Sequence, residues 1–295
     1  TAQVVAGTPL FLSAVTYDPA QSLYVAVADD SSHQLLRSPD GINWSPWSSG
    51  TSLSLYGVRY VNGRFIAVGQ LGIILSSLNG INWYPLTISH NAQFNAVTYG
   101  NGHYVAVGKY PINLQPAIGS VAATSTDGIT YTLGTTEHFA GADEGFNDVV
   151  WGNGQFVAVG GEAIIQTSVD GKVWKLRYSN FGTALFGVAY GAGQYVAVGA
   201  GFGAGINLLR SPDGTTWTKS ANGLPASYFG ITHANGQFVA VGSNGAIATS
   251  PEGIDWAAYS SGTNKALTSV VYGNGTYVVV GVGGTVIKSV NSTNW

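Results

Sequence analysis

The sequence predicts an all-β ring of seven repeated units, each a four-stranded antiparallel sheet, and three observations predict it. A heptapeptide, SPDGINW at 38–44, returns as SLNGINW (77–83), STDGITY (125–131), SVDGKVW (168–174), SPDGTTW (211–217), SPEGIDW (250–256) and SVNSTNW (289–295). A second element precedes it each time: YVNGRFIAVG (60–69), YGNGHYVAVG (99–108), WGNGQFVAVG (151–160), YGAGQYVAVG (190–199), HANGQFVAVG (233–242) and YGNGTYVVVG (272–281), with a degenerate first copy, YDPAQSLYVAVA (17–28). The distance from the closing Trp to the next first-strand aliphatic is 14 residues at five of six internal junctions, as from Trp44 to Val58 and from Trp256 to Val270. A period of about 40 residues holding four short strands is that of a β-propeller blade.

Within each unit the elements follow in order. A short β-rich run, an Asn-Gly turn, then an aromatic residue and Val-Ala-Val read as a hairpin, because Asn and Gly accept the positive φ of a two-residue turn. The run before the heptapeptide, such as GIILSS or AIIQTS, is a third strand, and the Trp opens a fourth, as in WYPLTIS and WKLRYS. The blades are expected at 13–54, 55–93, 94–145, 146–184, 185–227, 228–266 and 267–295 plus 1–12. The seventh unit stops at Trp295 where its fourth strand would begin, so TAQVVAGTPLFL at the start is expected to supply that strand and close the ring. Closure leaves no naked edge between the first and last units.

The heptapeptide resembles the Asp-box of the BNR, or sialidase-like, propellers, whose pattern is Ser-x-Asp-x-Gly-x-Thr-Trp at the turn between third and fourth strands. Here it is one residue shorter between Asp and Gly, and Asn79, Glu252 and Asn291 replace the Asp in three copies. The resemblance runs along the whole chain and implies architecture, since many unrelated activities share it. Ser and Asp bond turn amides, Gly takes a positive φ and Trp packs inside the blade. Sialidase chemistry itself is disfavoured. It implies an arginine triad, and of the five arginines only Arg59, on a first strand, is placed to face a central channel.

Composition narrows the partners. The 295 residues carry 11 Lys plus Arg against 14 Asp plus Glu, 8% charged in all, which is too few cations for a phosphate-binding stripe and argues against nucleic acid. There is no Cys, hence no disulfide, thiolate metal site or Cys nucleophile. No apolar run approaches the roughly 18 residues of a membrane span. The chain has no Met and opens on TAQVV, which reads as a processing boundary, and the low charge with abundant Gly and Tyr reads as a secreted or cell-surface monomer.

Function is sought where the repeat breaks. Gly108 to the next box Ser is 17 residues instead of the usual 8, and Tyr131 to Val149 is 18 instead of 14, so extra sequence collects on one rim above blades 3 and 4. The candidate ligand-binding set there is Lys109, Tyr110, Glu137, His138, Asp143, Glu144, Asp148 and His90, and the candidate catalytic set Glu137, His138, Asp143, Glu144 and Tyr110. Asp143 and Glu144 could contribute oxygens to Ca²⁺, without any loop of diagnostic ligand spacing. His233 replaces a packed Tyr and is assigned to structure. The expectation is a recognition or adhesion module for carbohydrate, whose neutral hydroxyls and ring faces suit aromatic, Asn- and Ser-rich surfaces. An extracellular glycoside hydrolase or polysaccharide lyase built on the same acids is the alternative. A protein-binding scaffold is the second alternative.

Overall fold

A computed structural model describes residues 3–4, 10–29, 34–88, 91–110, 119–137, 145–177, 184–200, 208–220 and 226–295. These form seven four-stranded antiparallel sheets, six of them ordered first, second, third, fourth strand along the chain. The first strands, Leu12–Asp18, Leu55–Val61, Gln93–Gly100, Phe146–Gly152, Leu185–Gly191, Tyr228–Ala234 and Leu267–Gly273, pack on one another around a central channel. The ring closes as the sequence predicts: Gln3–Val4 pairs with Thr285–Ser289, in the register Gln3 to Val286 and Val4 to Thr285, and becomes the outer strand of the last sheet. Three 3-10 turns, at Gln70–Gly72, Gly161–Ala163 and Ser243–Gly245, join second to third strands in blades 2, 4 and 6.

The core lies between the blades. Val25 and Leu35 of blade 1 pack with Leu55, Val58 and Phe65 of blade 2, and Val278 and Val280 of blade 7 pack with Leu12, Val15 and Tyr24 of blade 1. Every second strand is therefore covered on both faces, which is why its sequence is an unbroken apolar run rather than an alternation; Leu23–Ala28 and Thr276–Gly281 are buried throughout. Burying each large side chain contributes about 1.5–3 kcal/mol.

An aromatic row crosses every blade but the third, whose box ends in Tyr131 in place of Trp. The first-strand ring lies 4.5–4.8 Å from a second-strand ring, as in Tyr17–Tyr24 and Tyr60–Phe65, and that ring lies 6.0–6.4 Å from the box Trp, as in Phe65–Trp83 and Tyr24–Trp44. These are tilted contacts at separations favourable for ring pairs. His233 occupies the first-strand place in blade 6, 4.6 Å from Phe238, its buried Nε2 without a hydrogen bond and its pKa lowered by burial. The row needs bare backbone beneath it: a Cβ on Gly152 would stand 2.2 Å from the Tyr190 ring and one on Gly191 2.0 Å from His233.

The box is a hydrogen-bonded turn. Ser38 Oγ accepts the Gly41 N–H at 2.8 Å and donates to Asp40 Oδ1 at 2.9 Å, and that oxygen accepts the Ile42 and Asn43 N–H groups at 2.8 Å each. Asn79 makes the same two acceptor bonds at 2.9 Å. At Gly41, φ +71°, a side chain would be strained, and a Cβ would meet Val278 at 2.7 Å. The N–H bonds, led by that of Asn43, hold the Asp40 carboxyl well below the usual carboxylate range, and those of Thr130 and Ile129 bring Asp127 down to about 2.

Two outcomes follow from this packing. Gly152→Ala is expected to cost ~2–3 kcal/mol through overpacking, read as a lower thermal midpoint, whereas Val290→Ser, at a position 70% exposed, leaves the midpoint nearly unchanged. Carboxyls whose folded pKa is depressed stabilise fully above their unfolded value of about 4 and lose that contribution as pH falls through the folded values. Stability measured by thermal melts should therefore hold down to about pH 4 and decline below it, and simultaneous Asp→Asn changes at 40, 127 and 213 should flatten that decline.

Candidate functional site

The channel mouth is shaped by one irregularity repeated in every blade. The register between first and second strands shifts by a residue at the same place, between Leu12 and Ala14, Leu55 and Gly57, Phe94 and Ala96, Phe146 and Asp148, Leu185 and Gly187, Tyr228 and Gly230, and Leu267 and Ser269. A β-bulge re-aims its extra residue away from the sheet. The bulged residues Ser13, Tyr56, Asn95, Asn147, Phe186, Phe229 and Thr268 line, with their neighbours, a cavity of about 350 Å³.

Four of the seven are polar and stitch the ring together. Ser13 Oγ donates to the Leu55 carbonyl at 2.9 Å, Asn95 Nδ2 to Phe146 at 2.7 Å, Asn147 Nδ2 to Leu185 at 2.7 Å and Thr268 Oγ1 to Leu12 at 2.5 Å, each reaching the next blade. The other three are aromatic. Phe186 and Phe229 meet edge to face at 5.5 Å, and Tyr56 is half-buried, its pKa raised by burial and by the nearby Asp29. The mouth is thus polar on blades 3 and 4 and aromatic on blades 5 and 6.

One residue further along, six blades carry Ala, Gly or Ser and blade 4 carries Asp148. Its Oδ1 accepts the Val149 N–H at 2.8 Å and its Oδ2 the Val188 N–H of the next blade at 2.9 Å. Arg59 of blade 2 reaches across the cavity to within 3.6 Å of Oδ1, the single ion pair among the described residues. Burial pushes the Asp148 carboxyl up, against the opposing influence of Arg59 and the two N–H groups.

The described members of the predicted loop site are dispersed. Asp148 is in the channel. Lys109 ends the second strand of blade 3 and packs beneath Gly145, where a Cβ would stand 2.6 Å from Lys109 Cβ. Tyr110 packs against the core between blades 2 and 3, and its N–H bonds the Gly119 carbonyl at 3.2 Å. Glu137 lies at the outer edge of blade 4. There Thr135 N donates to the Lys172 carbonyl at 2.7 Å, Trp174 N to the Thr135 carbonyl at 3.0 Å, and a Glu137 carboxylate oxygen accepts the Leu176 N–H at 2.7 Å. His90, His138, Asp143 and Glu144 lie outside the described residues, and the remainder contain no group of three His, Asp or Glu able to hold a metal.

Sequence reasoning placed Arg59 toward the channel and missed the three aromatics. Their signal is present: the bulge column reads Ser, Tyr, Asn, Asn, Phe, Phe, Thr along the blades, varying where its neighbours are nearly constant.

No protein-family profile and no curated protein sequence matches the chain. Solved structures do. YCF48 bound to a D1 peptide superposes with a TM-score of 0.71 at 13% identity, covering 99% of this chain and 96% of that one. A catalytically inactive virginiamycin B lyase from Staphylococcus aureus, with quinupristin, gives 0.80 at 10% identity, covering 98% and 97%. The WD40 propeller of Doa1 gives 0.69 at 15% identity, covering 97% and 96%. At such identities the likeness is one of fold, and the chain is a seven-bladed β-propeller. The expectation of a carbohydrate-recognition module is corrected by the same comparisons, since full-length neighbours include a peptide-bound YCF48 and a WD40 domain. The sugar reading rested on surface composition, which equally describes turns and channel walls that serve the fold. No helix among the described residues is long and apolar enough to cross a membrane.

Removing the Glu137 acceptor tests its place at the blade edge. In Glu137→Ala the Leu176 amide is expected to exchange about five- to ten-fold faster by hydrogen-exchange measurement, with the channel amides unaffected. Unchanged exchange at Leu176 would detach Glu137 from that edge.

Proposed function

We propose that this propeller is a protein-binding module that takes an extended segment of a partner at the channel mouth. The observation that carries the reading is the Phe186–Phe229 pair, an aromatic surface set by bulges into a cavity of about 350 Å³ beside amide groups on the adjoining blades. A cavity of this size suits one or two side chains, and aromatic anchors in a partly desolvated pocket are what peptide and protein interfaces use. Asn147 keeps its side-chain carbonyl free of partners among the described residues after its amide bonds Leu185, which leaves an acceptor for a peptide N–H. The D1 peptide bound to YCF48, a structural neighbour of the same fold, supports the same reading.

Three finer assignments accompany it. The Ser-x-Asp-Gly-x-x-Trp turn is a shortened Asp-box, supported by its Ser–Asp–amide bonding and by indole bonds such as Trp174 Nε1 to the Gly171 carbonyl at 3.0 Å. The protein acts outside the cell, a reading supported by its 8% charged residues and its abundance of Gly and Tyr. It works as a monomer, because a closed ring offers no unpaired first or last blade.

Random-peptide display on the wild-type chain tests the function. Selected peptides should lose at least ten-fold in affinity, by fluorescence anisotropy, toward Phe186→Ala/Phe229→Ala, whose thermal midpoint stays near wild type because both rings are only partly buried. Affinity indifferent to that double change would remove the mouth from the binding surface.

A further inference from the structure

Arg59 is out of place in the repeat. The corresponding first-strand residues are Thr16, Thr98, Val150, Ala189, Thr232 and Val271, all small and neutral, so six blades fold without a cation there. Three of the other four arginines are tied to their own blades: Arg64 Nη1 donates to Ser76 at 2.7 Å, Arg177 Nε to Thr167 at 3.0 Å, and Arg37 lies over the Trp47 ring at 4.7 Å. Arg59 makes no hydrogen bond with a described residue. Its one ion-pair partner among the described residues, Asp148, stands at 3.6 Å, outside hydrogen-bond length, and already accepts two backbone N–H groups.

The guanidinium is thus held in a cavity wall, 39% exposed, with its fork of five donors unused by hydrogen bonds among the described residues. That fork matches the two oxygens of a carboxylate, which it binds bidentately. Among the described residues lining the cavity, Arg59 and Asp148 are the only charged groups, so a dianion such as phosphate would meet one cation and a competing carboxylate. A single carboxylate is the better match.

We propose that Arg59 is the receptor for a carboxylate on the bound segment, and that this segment is acidic, with an apolar side chain seated on Phe186 and Phe229. The proposal rests on the peptide-binding reading and names its ligand chemistry. The carboxylate belongs either to an Asp or Glu side chain or to a chain terminus, and the two sources are separable by synthesis. Asp148 then acts against the ligand, competing for the same guanidinium.

The test uses the full chain and two probes. Display-selected peptides are resynthesised with their acidic side chains as amides, or with the C-terminus as acid or amide, and measured by anisotropy against wild type, Arg59→Gln, Arg59→Lys and Asp148→Asn. Glutarate, with glutaramide as control, is titrated while the Arg59 Nε–H signal is followed by NMR. Expected are a ten-fold or greater preference for one carboxylate form, its disappearance in Arg59→Gln, partial retention in Arg59→Lys, tighter binding in Asp148→Asn, and a saturable shift with glutarate alone. A channel arginine serving only the fold would give no opposite effects at positions 59 and 148. Peptides that bind equally as acid and amide, or equally to Arg59→Gln, overturn the carboxylate receptor and leave peptide binding standing. A glutarate shift without any peptide binding overturns the peptide reading and keeps the anion site, and silence from both probes overturns both.

Discussion

A four-stranded sheet with two apolar faces cannot exist alone in water, and this constraint governs the molecule. Each blade buries its faces only against neighbours, so the second strands, with residues such as Val25, Val105 and Val278 wholly buried, need a blade on each side. An open stack would leave two greasy ends. Closure removes both, and the pairing of Gln3–Val4 with Thr285–Ser289 is the joint that completes it.

Close approach of blades dictates much of the composition. The bare backbone at Gly152 and Gly191 receives the next blade's ring, and the box glycines lie against the preceding blade, which accounts for many of the 42 glycines. Outer edges remain exposed to pairing by other chains, and they are blunted locally. Pro46 and Pro85 stand at the second residue of the fourth strand in blades 1 and 2, where no N–H is then offered. At the equivalent place in blade 4, the Leu176 N–H is capped by Glu137.

This explains which parts of the site were legible. Loop length and charge drew attention to Glu137, yet its carboxylate is engaged at a strand edge, a demand that spacing along the chain does not reveal. Arg59 was legible as channel-facing because the first strand is innermost and its residues alternate in direction. Phe186 and Phe229 were not, since a Phe between Leu185 and Gly187, or between Tyr228 and Gly230, reads as core in an apolar strand. Only the bulge after Leu185 and Tyr228 turns them to the cavity.

The sequence by itself determined the blade number, the strand order and the manner of closure, because each depends on a local repeat that must recur wherever a blade must pack. The tertiary structure decided which side chains meet across the channel. Arg59 and Asp148 are 89 residues apart on non-adjacent blades, and their approach to 3.6 Å depends on ring curvature and strand register together. Those are properties of seven blades closed on one another, which no single repeat encodes.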